Sequence, residues 1–167
     1  VDFSCPATMM KGTTATAWIE FRNTGGSTWN QGEVRLGTWN PQDRMSSFYT
    51  AVEWPSANRP SDMVTASCYP DEVARFTFTL TAPTQAGDYS ESWRLLKEGV
   101  TWFGEDSVIF QITVVPRPIP ADFDQDRDVD MDDFAFIQEC ISGLGVPFSS
   151  ACQAADLANR FPDVTRI

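Results

Sequence analysis

Residues Ala74 to Ala82 read ARFTFTLTA, with Phe76, Phe78 and Leu80 alternating against Thr77, Thr79 and Thr81. A period of two places the apolar side chains on one side of an extended chain and the threonines on the other. The segment is therefore a strand with one buried face, not a helix. The same logic applies to Thr16–Arg22 (TAWIEFR), which stops at the turn signal Asn23-Thr24-Gly25-Gly26. Tyr89–Leu96 (YSESWRLL) follows a second break at Gln85-Ala86-Gly87-Asp88, and Lys97-Glu98-Gly99 turns it toward Trp102. Val108–Val115 (VIFQITVV) is rich in β-branched and aromatic residues. No stretch of this part keeps a helical period for three turns. Short strands separated by turns predict a mainly β chain folded as an antiparallel β-sandwich.

The pattern changes at Pro116-Arg117-Pro118-Ile119-Pro120, where alternate prolines favour an extended spacer. Residues 1–118 carry 13 acidic and 9 basic side chains, whereas residues 119–167 carry 10 and 3. Charge and proline content shift together, which predicts a sandwich over 1–115, a linker over 116–120 and a separate acidic module over 121–167.

Composition excludes several functions. A net charge of −11 and a pI near 4.2 repel phosphate backbones, so nucleic acid is not an expected partner. There is no histidine, which removes Ser-His-Asp and Cys-His catalysis and His-containing zinc sites. Glu91, Glu98, Glu105 and Asp106 are the carboxylates a glycosidase would draw on, but at turn and strand positions they read as solvated surface acids. No phosphate-cradling glycine loop or nucleophile elbow is present. The expectation is a non-catalytic chain. Its apolar runs are far too short for a membrane span. With no charged-then-apolar leader at its start, any secretion signal is expected to have been removed.

Six tryptophans stand in the first part. Trp18 and Trp93 lie within strand patterns and are expected in the core. Trp29, Trp39, Trp54 and Trp102 lie at turns or strand ends, where a ring can stay partly exposed and stack on a sugar or anchor a peptide. Pro41–Pro60 (PQDRMSSFYTAVEWPSANRP) is long for a connection, and its Asp43, Arg44, Tyr49, Trp54, Asn58 and Arg59 are suited to line a polar-aromatic surface. Trp54, Trp102 and Tyr49 are the expected binding residues.

WIEFRNTGGSTW from Trp18 to Trp29, LGTW ending at Trp39 and APTQAGDYSESWRL ending at Leu95 resemble the four-tryptophan domain, the Ig-like module of the autophagy receptor next to BRCA1 that also occurs in bacterial secreted proteins. The resemblance covers about residues 12–115. It implies an Ig-like sandwich with a binding or scaffolding role, and makes Trp18, Trp29, Trp39 and Trp93 the four namesake residues.

The acidic module opens with seven aspartates in twelve residues, Asp122 to Asp133. Calcium takes six to eight oxygens, and a twelve-residue loop supplies them from positions 1, 3, 5, 7, 9 and 12. Those positions are Asp122, Asp124, Asp126, Asp128 (through its carbonyl), Asp130 and Asp133. Val129, at position 8, is expected to pin the loop to a partner. Phe134, Ile137 and Ile141, with Cys140 beside them and Gly143 following, predict an amphipathic helix.

A calcium loop followed by one helix, with no helix entering it, resembles the dockerin module over about residues 121–167. Dockerins attach secreted proteins to cohesin domains, and the resemblance makes Met131 and Asp132 the cohesin-facing residues. Arg127 stands where the glycine of position 6 is usual. A second half from Asp156 has Ala158, Arg160 and Thr165 at ligand positions and keeps only Asp156 and Asp163, so one calcium ion is expected.

Four cysteines without a C-x-x-C motif suit disulfides in an oxidising compartment. Of three possible pairings, Cys5–Cys68 and Cys140–Cys152 keep each bridge within one part. The combined expectation is a secreted or cell-surface bacterial module, calcium-stabilised, attaching to a cohesin-like protein or to its own copies. The alternatives are a carbohydrate-binding accessory module of a polysaccharide-degrading enzyme, with a glycan as partner, and a structural subunit of a surface layer or filament.

Overall fold

The structure, a computed structural model, describes residues 1–123 and 126–140. The chain divides into two compact units, Val1–Pro116 and Arg117–Ile167.

The first unit is built from nine strands: β1 (Asp2–Ser4), β2 (Thr8–Met10), β3 (Thr14–Arg22), β4 (Trp29–Asn30), β5 (Val34–Trp39), β6 (Ser67–Cys68), β7 (Val73–Thr81), β8 (Gly87–Lys97) and β9 (Thr101–Val115). They form a three-stranded sheet in the order β1-β3-β7, a four-stranded sheet in the order β2-β9-β8-β5, and a β4-β6 ribbon. All pairs are antiparallel except β2 with β9. Pro6 explains how the N-terminal segment serves both sheets. It lacks an N–H to continue a ladder, so pairing on β3 ends at Ser4 and resumes on β9 at Thr8.

Alternation decides what each strand buries. Ala74, Phe76, Phe78 and Leu80 of β7 and Ala17, Ile19 and Phe21 of β3 face Val108, Phe110, Ile112 and Val114 of β9 across one continuous core. Trp93 is fully buried at its centre, its ring against Phe78 and Phe110 at centroid distances of 5.3 and 5.9 Å. Its indole N–H has no hydrogen-bond partner among the described residues. Trp18 departs from the expected core position. It shares the parity of Thr16 and Glu20 on β3, so its ring lies on the outer face, where the Arg75 guanidinium stacks over it at 4.1 Å.

The connection from β5 to β6 closes the side of the sandwich between the free edges of β5 and β7. Phe48, Trp54 and Met63 enter the core. Thr81 donates its N–H to the Phe48 carbonyl, Val64 to Arg75, and Thr38 to Asn58. Both edge strands are thereby occupied by the protein's own chain, which removes them as templates for another strand.

The register of β8 on β9 shifts between Trp93 and Leu95, so the stretch from Gly104 to Ser107 bulges out of the ladder. Gly104 takes a φ of +76°, open to glycine at no steric cost. Arg94 holds the bulge by donating from Nε and Nη2 to the Gly104 carbonyl at 3.0 and 2.6 Å.

In the second unit the acidic loop leads into α1 (Met131–Cys140). Phe136 of this helix stacks on Phe123 at 5.6 Å. Phe134, expected on the packed face, is 47% exposed, and Val129, expected to pin the loop, is 55% exposed. Among the described residues no helix is long and apolar enough to cross a membrane.

Candidate functional sites

The outer face of the four-stranded sheet carries the first candidate. In β5, Val34, Leu36 and Thr38 point to the core, so Arg35, Gly37 and Trp39 point outward. Trp102 of β9 reaches across Leu96 of β8 to lie over Gly37. A Cβ at position 37 would come within 2.6 Å of Trp102 Cη2 and 2.9 Å of a Leu96 methyl, so only glycine admits the ring. Trp39 flanks it at 5.2 Å, with the Arg94 guanidinium 4.5 Å above the Trp39 ring.

Around Trp102 runs a chain of ion pairs. Asp62 accepts from Arg35 Nε at 2.6 Å, Glu98 Oε1 lies 3.6 Å from Arg35 Nη1 and accepts from Arg59 Nε at 2.8 Å, and Asp43 Oδ1 accepts from Arg59 Nη1 at 2.7 Å. Burial opposes the Arg59 charge, but the hydrogen bonds to Glu98 and Asp43 outweigh it, and the guanidinium is held above its ordinary pKa. Asn58 Nδ2 donates to Asp43 Oδ1 at 3.2 Å. Two adjoining depressions, of about 240 and 440 Å³, share Arg59 and Glu98 as their common wall.

The expected binding residues separate here. Trp102 is partly exposed and lines the smaller depression. Trp54 is a correction: it is 5% exposed, its Nε1–H donates to the Thr79 carbonyl at 2.6 Å, and its ring packs on Phe78 and Trp93. Tyr49 is half-buried with its ring edge-on to Trp54, so it supports the core and not a ligand. Asp43, Asn58 and Arg59 of the long connection do reach the polar-aromatic surface, while Arg44 turns inward. Glu91, read as a solvated acid, is another correction. It is 2% exposed and accepts from Arg44 Nη1 and Nη2 at 3.2 and 2.8 Å, Ser46 Oγ at 3.1 Å and Ser47 N at 3.2 Å. Gly37 and Arg94 were not anticipated; their parity with Trp39 in LGTW and with Leu96 in WRLL was the available signal.

The expected Cys5–Cys68 disulfide is also corrected, since both residues are free thiols. Cys5 follows β1, whereas Cys68 pairs with Trp29 in the β4-β6 ribbon. Sharing a domain does not bring two Cα atoms to the roughly 4.4–6.8 Å a disulfide spans. Burial pushes both thiols above their ordinary pKa. The Cys140–Cys152 pairing lies outside the described residues.

The acidic loop is the second candidate. Carboxylate oxygens of Asp128, Asp130 and Asp133 lie within 4.8 Å of one another. Asp133 is buried, with Oδ1 accepting from the Phe123 N–H and Oδ2 from the Asp130 N–H at 2.9 Å. Asp122 Oδ2 accepts from Arg127 N at 3.2 Å, while its Oδ1 is buried with no hydrogen-bond partner among the described residues. Asp126 caps the N–H of Asp128 and Asp130 that of Asp132. Arg127 adopts a φ of +85°, so the tight turn forms without glycine. Asp128 differs from expectation by offering its side chain to the cluster. Met131 and Asp132 are exposed at the start of α1. Asp124 and the degenerate second half from Asp156 lie outside the described residues. Three carboxylates with oxygens this close together are hard donors of the kind a divalent cation takes.

Two facing sheets, a strand segment that changes sheets at Pro6 and a Trp93-centred core define the first unit as an Ig-like β-sandwich. The chain belongs to the family of the Ig-like domain from next to BRCA1 gene, whose model matches residues 6–114. No curated protein matches it. Among solved structures it is similar to the CARDB domain of a Pyrococcus furiosus protein in complex with di-metal ions, at 20% identity and a TM-score of 0.44, covering 69% of this chain and 90% of that one. A solution structure of the same domain gives 20% identity and 0.43, covering 68% and 90%. A family 123 glycoside hydrolase from Clostridium perfringens gives 15% and 0.34, covering 68% of this chain and 23% of that one.

Proposed function

We propose that this chain is a secreted, non-catalytic attachment module, in which an Ig-like domain of the four-tryptophan type is joined to a calcium-organised, dockerin-like unit. The observation that carries the reading is the convergence of Asp128, Asp130 and Asp133 at the start of α1, in a loop where Asp122 Oδ1 is also buried with no hydrogen-bond partner among the described residues. Asp122, Asp126, Asp128, Asp130 and Asp133 would hold the ion, with Asp124 from the same loop. A bound calcium ion neutralises the carboxylates' mutual repulsion and ties loop to helix. Met131 and Asp132, exposed beside the site, would then face a cohesin-like protein partner. The absence of histidine and the pairing of Glu91 and Glu98 with arginines support a binding role over catalysis.

Calorimetric titration of the chelator-treated full chain with calcium tests this. One saturable site and a higher melting temperature are expected, with affinity lowered more than tenfold in Asp133→Asn. No heat and no change in melting would end the calcium reading. Size-exclusion chromatography with and without calcium addresses the partner. An unchanged monomer fits attachment to a different protein, whereas calcium-dependent self-assembly would replace that with the filament alternative.

A further inference from the structure

The depressions around Arg59 and Glu98 sit on the Ig-like unit, away from any residue of the acidic loop in sequence, and the attachment reading leaves them without a role. We infer that this groove binds a neutral saccharide, with Trp102 as its stacking platform and Glu98, Asp43 and Asn58 as its hydroxyl partners.

Three features select that ligand. The first is the way the platform is made. Trp102 lies over Gly37, where any side chain would collide, and Trp39 braces it from the side. The Trp102 ring is only partly buried, with the Arg59 guanidinium 5.4 Å over its centroid, and the ring area left exposed is apolar surface of the kind that sugar C–H faces cover. The second is charge. Arg35 and Arg59 are matched by Asp43, Asp62 and Glu98 at 2.6–3.6 Å. An anionic ligand would face a site whose cations are already satisfied by three carboxylates, and a cation would have to displace Arg59, whose side chain is only 11% exposed. A neutral hydroxyl breaks none of these pairs. The third is spare hydrogen-bonding capacity. Both ion pairs of Glu98 fall on Oε1, which leaves Oε2 to accept from a ligand. At the rim of the smaller depression, Gln42 Nε2 donates to Asp43 Oδ2 at 3.4 Å and Lys97 Nζ pairs with Glu33 Oε2 at 3.3 Å, and each group has more N–H donors than that one contact uses. Charge-locked side chains lose little rotamer freedom when they bind, which favours recognition of a weak, well-hydrated ligand.

The size agrees. Each depression is a few hundred Å³, near the lower end of small-molecule clefts at roughly 300–1,000 Å³, and they adjoin, so an oligosaccharide can run through both past the shared Arg59–Glu98 wall.

The test is a glycan array of neutral and anionic oligosaccharides probed with the full chain, followed by calorimetry on the strongest neutral ligand. Saturable binding to neutral glycans is expected, with less than a twofold change in Kd between 50 and 500 mM salt. Trp102→Ala should lower affinity at least tenfold. Because that change also removes packing on Leu96, Glu98→Gln serves as the second variant. It keeps the shape of the side chain, removes its charge and should weaken binding at least fivefold. No binding to any neutral glycan, preference for anionic ones with a steep salt dependence, or undiminished binding in both variants would overturn the assignment. All the residues involved belong to the Val1–Pro116 unit and none is a proposed calcium ligand, so failure here leaves the calcium reading standing.

Discussion

Glu91 fastens the long β5–β6 connection to the sandwich, and removing either side of its ion pair should destabilise the domain unequally. Losing one member of a buried pair costs about 3–5 kcal/mol, because the other is left as an uncompensated charge. In Glu91→Ala the stranded group is Arg44, whose side chain is 20% exposed and can rehydrate, so the loss falls near the lower end, about 3 kcal/mol. In Arg44→Ala the stranded group is a carboxylate only 2% exposed, with Ser46 Oγ and the Ser47 N–H as its remaining donors. That loss should reach about 4–5 kcal/mol. For a domain of this size about 4 °C of melting temperature accompanies each kcal/mol, which separates the variants by roughly 4–8 °C. Replacing both residues together, Glu91→Leu with Arg44→Met, strands neither charge and should cost less than either single change. Urea denaturation and thermal melts of the four proteins compare these losses. Equal losses in the two single variants, melts within 3 °C of wild type, or a double variant as unstable as the sum would refute the account.

Two further outcomes follow from the core. Trp54→Ala should destabilise by about 3–5 kcal/mol in chemical denaturation, as a buried Trp-to-Ala change does, because it opens a cavity beside Trp93 and Phe78 and leaves the Thr79 carbonyl with one donor fewer. The same change should leave glycan affinity in the surviving folded protein within twofold, whereas a Trp54 exposed to ligand would lose both. Cys68 gives a pH dependence of known sign. Burial raises its folded pKa above the unfolded thiol's value of about 8.5. Above that pH the unfolded chain sheds the proton while the folded chain keeps it, so stability present in full at lower pH is lost as pH rises through the folded pKa. Denaturation midpoints measured in reductant at pH 7 and pH 10 should therefore fall further for wild type than for Cys68→Ala, and parallel declines would count against a buried thiol at this position.

What the amino-acid sequence alone determined is what depends on neighbours along the chain. The alternation in ARFTFTLTA and TAWIEFR set β7 and β3 together with their buried faces, the proline run marked where β9 ends, and the density of aspartates marked the loop before α1. Parity also assigned Trp18 to the outer face, since it shares a side with Glu20; the expectation of a core tryptophan overrode a signal already present. Tertiary structure decided the rest, because those outcomes depend on which distant segments meet. Trp54 and Trp102 both read from the sequence as aromatic residues at turns or strand ends, yet one is enclosed by Phe78 and Trp93 while the other reaches Gly37. Glu91 and Glu98 lie on the same strand and its turn, and the return of residues 41–66 past β8 brings Arg44 to the one and Arg59 to the other. The Cys5–Cys68 pairing failed for the same reason, since a bridge depends on Cα separation and sequence reports only membership of a domain. Local periodicity fixes which way a side chain points; burial, pairing and ligand access are set by what arrives opposite it.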